Sequence, residues 1–519
     1  MKETRVSAAG RIGIAMTVLA WAALPAWVST ALAADAVTSA SVSSSVDDTR
    51  LTHRTIKLRD GRSIAYTTRA GSLPLVNDAT GETTAHVFFV AYTTDRKNGE
   101  AARPLTFVFP GGPGASATLS KSGPRRVEVA DGEARVVDNP DTLLGATDFV
   151  LIDPVGTGYS RMTRPEYASL FYNIKGDIDS LVEVMRLYLQ RYDTSESQIF
   201  LSGGSWGSVR SILVADAAIK RGIPIRAIMV SAEGASLSIL GTDTAYANLI
   251  PGFAVIAQAH HKLPPDLQAD RTRAIAEAKA WAYDVYLPAL AKGNALPADR
   301  RHEIAMQMAR YSGLKPEVIE SYDLKVGAEA YTNQLLRDEG KSIGFYDTRI
   351  AGPAQTGAYD PTKDPSLMAR GVAYPSLAER TLLNRELGMV SSNYYAGPFG
   401  GGWPIRDGVQ DWMSVKWGFS LSQEPVGEGI EIVLPTFVRI VKSGVWAFIG
   451  EGYYDWACPP FGVDYVASRV PPEDKDHVRV VHYESGHSVP MAEFNADAAR
   501  FIADVLKEPR PKPPKNMVD

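Results

Sequence analysis

Residues 198–210 read QIFLSGGSWGSVR, and this stretch decides the fold. The apolar run Gln198–Leu201 predicts a short strand, and the stretch from about Trp206 to Lys220 predicts a helix. Between them, Gly203-Gly204-Ser205-Trp206-Gly207 fits G-x-S-x-G in the strand–turn–helix setting that a nucleophile elbow requires. A serine on that turn takes a strained backbone, so the residues two before and two after it must be small. Gly203 and Gly207 meet the condition. A chance match in an open loop would lack the flanking strand and helix.

Outward from the elbow, short apolar runs alternate with helical ones. Leu105–Phe109 stops at Pro110-Gly111-Gly112-Pro113-Gly114, and Asp148–Ile152 stops at Asp153-Pro154-Val155-Gly156. A helix from about Asp177 to Tyr192 carries Ile178, Leu181, Val182, Met185 and Leu189 on one face, and strand Ile225–Val230 follows the elbow helix. Upstream, Thr55–Leu58 and Ser63–Thr67 flank Asp60-Gly61, a hairpin signal, and His86–Tyr92 is a further strand. Beyond Ala235 the alternation breaks into mostly helical stretches such as Arg271–Leu287, Ala298–Ser312 and Pro316–Tyr322. Strands return at Val445–Ile449 and Val478–Tyr483, and the amphipathic helix Ala492–Leu506 closes the pattern. The expected α/β architecture is a mostly parallel central sheet flanked by helices. Its first part is 51–235 and its second 429–508, with a helical cap inserted at 236–428.

The ends have other roles. Lys2, Arg5 and Arg11 precede the apolar run Ile12–Val28, which ends in Ala31-Leu32-Ala33. Residues 1–33 therefore read as a signal peptide cleaved after Ala33, an uncleaved anchor being the alternative. The expected product is exported, periplasmic or secreted, with no stable membrane anchor. Cleavage removes three basic residues and one acidic residue, moving the net charge from −5 to −7. Residues 34–50 read as a disordered lead-in and 509–519 as a proline-rich tail. Without a basic excess, nucleic acid is not an expected partner. The 519 residues are 45% hydrophobic and 22% charged, the balance of a soluble globular chain. The lone cysteine, Cys458, excludes an intrachain disulfide and a Cys-based metal cluster, so stability must come from a large core.

Serine needs a base, and the base needs an orienting acid; on this fold the chain order is Ser, acid, His. Three histidines follow the inserted segment. His477 begins a strand and His482 lies within it, whereas His487 follows it in Glu484-Ser485-Gly486-His487-Ser488, where the base belongs. Strand Val445–Ile449 leads through Gly450-Glu451-Gly452-Tyr453-Tyr454 to Asp455, the expected acid, with Glu451 as competitor. The oxyanion donors are the N–H groups of Trp206 and of the glycine loop, Gly112 first. No Gly-Lys-Ser/Thr follows that loop, so a phosphate cradle is not expected. His260-His261 lacks ligand spacing, and neither a metal nor an organic cofactor is predicted. Arg210 reads as one half of a structural ion pair. Tyr394, Tyr395, Phe399 and Trp403 read either as a binding wall or as cap core.

Together these residues resemble the serine carboxypeptidase family, the S10 peptidases of the α/β-hydrolase fold. Gly111–Ser116 resembles the family's N-G-G-P-G-x-S loop. Asp153–Ser160 resembles its D-x-P-V-G-T-G-Y-S block without the residue between Asp and Pro. The resemblance implies an exported peptidase acting on peptide or small acylated substrates through Ser205, Asp455, His487 and an acyl-enzyme. It also implies substrate contacts at Gly111 and Lys121, and at Cys458, which sits three residues after Asp455; the alternative for Cys458 is a buried, inert thiol. Three departures bear on substrate. The family residues that bind the substrate's terminal carboxylate are replaced by Gly204, Pro110 and Lys121. Either a cation at Lys121, Arg125 or Arg126 meets the carboxylate, or a free C-terminus is not required. The elbow and Gly486-His487-Ser488 also resemble the prolyl aminopeptidases, the S33 group. Aminopeptidase, esterase or acyltransferase action on the same triad therefore stands as the alternative, and a non-catalytic binding protein as the most distant one.

Overall fold

Side chains alternate between two faces along the central strands, and each face is covered by helices. The computed structural model describes residues 49–95, 101–130, 133–355, 360, 363–369, 375–389, 395 and 430–509. The expected signal peptide, the lead-in up to residue 48, Tyr394, Phe399, Trp403 and the tail beyond Pro509 lie outside the described residues.

Among the described residues, ten strands form the main sheet: β1 Arg50–Lys57, β2 Ser63–Val76, β3 Thr83–Thr94, β4 Leu105–Phe109, β5 Asp148–Ile152, β6 Arg161–Met162, β7 Ile199–Gly204, β8 Ile225–Ser231, β9 Trp446–Gly452 and β10 Val478–Tyr483. Their order is β1-β2-β3-β5-β4-β7-β8-β9-β10, with β6 paired to β3. From β5 to β10 every neighbouring pair is parallel, while β1, β2 and β3 join antiparallel. This is the α/β-hydrolase architecture, a mostly parallel sheet between helices.

On one face Leu201, Ile228, Val230 and Ile449 pack under α1 (Ile174–Arg191), α2 (Trp206–Lys220) and a helix at Val433–Lys442. On the other, Phe200, Met229 and Phe448 pack under the closing helix Met491–Val505. The period-two sorting follows from strand geometry. Helix α1 starts three residues earlier than the apolar face suggests, because the Asn173 side chain accepts from the Gly176 N–H at 2.8 Å and caps it there. Strand β7 runs to Gly204, carrying the ladder up to the elbow itself.

Between β8 and β9 the chain builds a second, mainly helical core. Helices α3 (Asp243–Ala259), α4 (Arg271–Trp281) and α5 (Ala298–Ser312) pack with Pro316–Ser321 and Ala328–Gln334. A two-stranded hairpin, Lys341–Ile343 with Ala351–Pro353, follows them. The helical stretch expected over Arg271–Leu287 is helical, but it widens at Ala282–Tyr286 between Arg271–Trp281 and Leu287–Leu290. Pro288 has no N–H to give the preceding turn, so an uninterrupted ladder is not available there. Among the described residues, no helix is long and apolar enough to cross a membrane.

Candidate active site

The elbow is a product of close packing. Ser205 sits between β7 and α2 with φ 57° and ψ −127°, outside the regions that L residues favour. Its N–H donates to the Ser231 carbonyl on β8 at 2.9 Å. A Cβ on Gly203 would stand 2.3 Å from the Gly207 oxygen, and one on Gly207 would stand 2.4 Å from the Phe109 oxygen. Both positions therefore accept only glycine, and the strained turn is held from three sides.

Asp455 and His487 meet at the ends of adjacent parallel strands. His487 Nδ1 lies 2.8 Å from Asp455 Oδ2, and Asp455 is fully buried. The other carboxylate oxygen accepts from the Ala457 N–H at 2.9 Å and the Cys458 N–H at 3.0 Å. A carboxylate oxygen accepts, so Nδ1 is the ring nitrogen that donates. Glu451, the competing acid, points elsewhere: its Oε1 accepts from the Glu233 N–H at 2.7 Å.

Ser205 and His487 line one cavity of about 290 Å³, together with Pro110, Gly111, Lys121, Gly204, Ser231 and Ser488. Of the residues expected to touch substrate, Gly111 and Lys121 lie in this wall. Arg125 and Arg126 are engaged with Asp138 and Glu128 instead, both at 2.8–2.9 Å. A Cβ on Gly204 would stand 2.8 Å from Ser231 Oγ, so the hydroxyl of Ser231 occupies the space a larger side chain would need before Ser205. Gly112 has φ 105°, which only glycine adopts freely. Trp206 opens α2 directly after the nucleophile.

Cys458 stands beside Asp455 and His487 rather than in the cavity wall. Its sulfur, an Asp455 oxygen and a His487 nitrogen all lie within 4.8 Å of one another. Burial, then the carboxylates of Asp455, Glu451 and Glu233, push its thiol well above the ordinary range, while the Ser205 hydroxyl bonds to it and pulls the other way. The thiol is thus a neutral neighbour of Ser205. Asp455, Cys458 and His487 each offer one atom that a metal ion could share, and a hydrogen bond already joins Asp455 to His487.

Residues between β8 and β9 hold the loops that carry Asp455 and His487, and no sequence signal pointed to them. The His487 N–H donates to the Tyr346 carbonyl at 2.7 Å, and the two rings stand edge to face at 5.2 Å. Arg349 donates to the Glu484 carbonyl at 3.0 Å, and Arg271 pairs with the Glu484 carboxylate. Trp456, next to Asp455, is fully buried in the helical core and donates from Nε1 to the Ala328 carbonyl at 2.8 Å. Tyr395, one of the four aromatics considered for a binding wall, is buried and donates to the Ala117 carbonyl at 3.3 Å.

Residues 67–210 match the family model described as serine carboxypeptidase, a stretch holding the glycine loop, the Asp153–Ser160 block and the elbow. Over this segment the chain is similar to serine carboxypeptidases. The pheromone-processing carboxypeptidase KEX1 of Saccharomyces cerevisiae is 29% identical over 150 residues, which is 26% of this chain and 20% of that protein. The match thus spans about a fifth of the curated relative's length. The crystal structure of Kex1(delta)p, a prohormone-processing carboxypeptidase from Saccharomyces cerevisiae, matches with a TM-score of 0.50 at 15% identity, covering 85% of this chain and 91% of that one. At that identity the likeness shows the fold. The matched segment ends at Arg210, so Asp455 and His487 come from beyond it.

Buried acids surround the site and give it a pH signature. Burial pushes the Asp153 carboxyl up to about 7, against the N–H groups of Ala117 and Tyr159 that bond it. Burial likewise raises Glu233 to about 7, and raises Glu451 well above the carboxylate range with help from Glu233 and Asp455. A carboxyl raised on folding binds its proton more tightly in the folded chain. Its contribution is fully present below the unfolded value and is lost as pH rises through the folded one. The window for Glu233 runs from its ordinary 4.5 to about 7. Glu233→Gln keeps an acceptor for the Ser236 N–H but cannot ionise. Its melting temperature is expected to fall less between pH 5 and pH 8 than that of the parent, by a few degrees. Equal slopes in a pH series of thermal melts would contradict this.

Proposed function

We propose that the chain is an exported serine peptidase of the serine carboxypeptidase type, which hydrolyses peptide bonds through Ser205, His487 and Asp455. One observation carries the reading: the Asp455–His487 hydrogen bond stands at a cavity whose wall also holds an elbow serine. Ser205 Oγ attacks the scissile carbonyl and passes its proton to His487 Nε2. The N–H groups of Gly112 and Trp206 hold the resulting oxyanion. His487 then protonates the leaving amine, and an acyl-enzyme on Ser205 remains until water, deprotonated by His487, releases the acid. Asp455 keeps the ring in the tautomer this exchange requires. Export rests on residues 1–33 acting as a signal peptide cleaved near Ala33, and residues 236–428 serve as the cap over the catalytic core.

The substrate's terminal carboxylate is met by Lys121, which lines the cavity. An ammonium group stays charged through neutral pH, so this recognition does not call for acid conditions. Because an ammonium rather than a protonated carboxyl meets the substrate's terminus, activity is expected to peak nearer neutral than acid pH.

A paired peptide panel tests the reading. N-blocked dipeptides with free C-termini are expected to be cleaved, and alanine- or proline-anilides with free amines are not. Lys121→Met is expected to raise KM for the blocked dipeptides about 10-fold or more, a lost charge-assisted bond, with kcat little changed. Preference for the anilides would favour aminopeptidase action, and a pH profile peaking below about pH 5 would contradict the Lys121 assignment.

A further inference from the structure

The glycine loop is gripped from behind. Arg210, on α2 five residues after Ser205, is fully buried, and its Nη1 donates to the Pro110 carbonyl at 2.6 Å and to the Gly111 carbonyl at 3.1 Å. Its Nε donates to Asp177 Oδ2 on α1 at 2.7 Å, and Asp177 is 2% exposed. The Trp206 side chain also bonds to Asp177. One guanidinium thus joins the helix that carries the nucleophile, its neighbour α1 and two successive peptide units of the loop.

Peptide planarity turns this grip into an orientation. In a trans peptide the C=O and the following N–H point in opposite directions. Holding the Pro110 carbonyl towards Arg210 sends the Gly111 N–H the other way, and holding the Gly111 carbonyl does the same for the Gly112 N–H. The other side of the loop is the cavity: Pro110, Gly111 and Ser205 line it, and Arg210 does not. A Cβ on Gly111 would stand 3.8 Å from Ser205 Oγ, so the loop passes directly over the nucleophile. A cationic donor on a carbonyl also polarises its peptide unit, which strengthens the N–H as a donor.

We propose that Arg210, anchored by Asp177, is the positioning residue of the oxyanion hole, fixing the direction and donor strength of the Gly111 and Gly112 N–H groups. This rests on the serine-peptidase reading and adds a residue that never meets substrate. A purely structural ion pair would change stability. This one changes the affinity for an oxyanion specifically.

Arg210→Lys is the informative variant, because an ammonium cannot hold two carbonyls and Asp177 in the fixed fork of a guanidinium. It is expected to lose about 100-fold in kcat with KM within about 3-fold of the parent, the scale of losing one oxyanion donor. Inhibition by a peptide aldehyde, which forms a tetrahedral oxyanion on Ser205, is expected to weaken in parallel. Inhibition by the product amino acid is expected to stay the same. The double variant Asp177→Leu with Arg210→Met removes both buried charges together, so no lone ion is left in the core, and it is expected to show the same split. If both variants keep kcat and aldehyde affinity within about 2-fold, or lose aldehyde and product affinity equally, the assignment is overturned. Failure of the underlying reading looks different: the parent itself would neither turn over peptides nor be labelled by a fluorophosphonate.

Discussion

Ser205→Ala is expected to abolish turnover of blocked dipeptides, by about 10⁶-fold in kcat, and to remove labelling by a fluorophosphonate. The size follows from the nucleophile and base acting as one unit. For that reason His487→Ala should cost about as much, and the double variant no more than either alone. Asp455→Asn should lose about 10⁴-fold, because an amide at 2.8 Å from Nδ1 can favour the wrong ring tautomer while leaving the packing in place. Glu451→Gln separates the two acids. Its Oε1 serves the Glu233 N–H, so this change should leave kcat within about 10-fold of the parent. Rates on one dipeptide for the four single variants decide the assignment. A loss in Glu451→Gln that matched Asp455→Asn would move the acid to Glu451.

The second large effect lies outside the cavity. Trp456→Ala is expected to destabilise the chain by about 3–5 kcal/mol, the cost of emptying a fully packed aromatic site. Trp456 has no solvent exposure, packs against Phe253 and Tyr331 at ring-centroid distances of 5.4 and 5.7 Å, and meets Gly252 so closely that a Cβ there would stand 2.6 Å from its ring. Because Asp455 is its neighbour, the loss should appear in activity even where the variant stays folded. Chemical denaturation and kcat measured on the same sample would show both. Trp456→Phe should recover most of the stability, and a Trp456→Ala variant with parental kcat would show that the acid loop holds its place without this anchor.

The same residue marks the limit of sequence reasoning. Short strands such as Leu105–Phe109 and Asp148–Ile152 were legible to the residue, because buried parallel strands are continuous apolar runs cut by glycine and proline. Helix Ala298–Ser312 was legible too, ending where Gly313 takes a left-handed turn. The wide turn within Arg271–Leu290 was not, since its apolar periodicity runs on through Pro288. Nor was the hairpin of Arg125–Ala130 with Glu133–Asp138, whose strands are rich in charge. At the site, Ser205 could be read because a strained turn demands glycines at fixed offsets.

What the amino-acid sequence determined by itself was therefore local: the elbow, the glycine loop, and the order in which serine, acid and histidine follow along the chain. Each rests on backbone constraints that act within a few residues. The hydrogen bond of Asp455 to His487, the latch of His487 onto Tyr346, the neutral thiol beside Ser205 and the grip of Arg210 on Pro110 and Gly111 were decided only in the tertiary structure. These contacts join residues tens to hundreds of positions apart. Their energies depend on burial and direction, and spacing along the chain specifies neither.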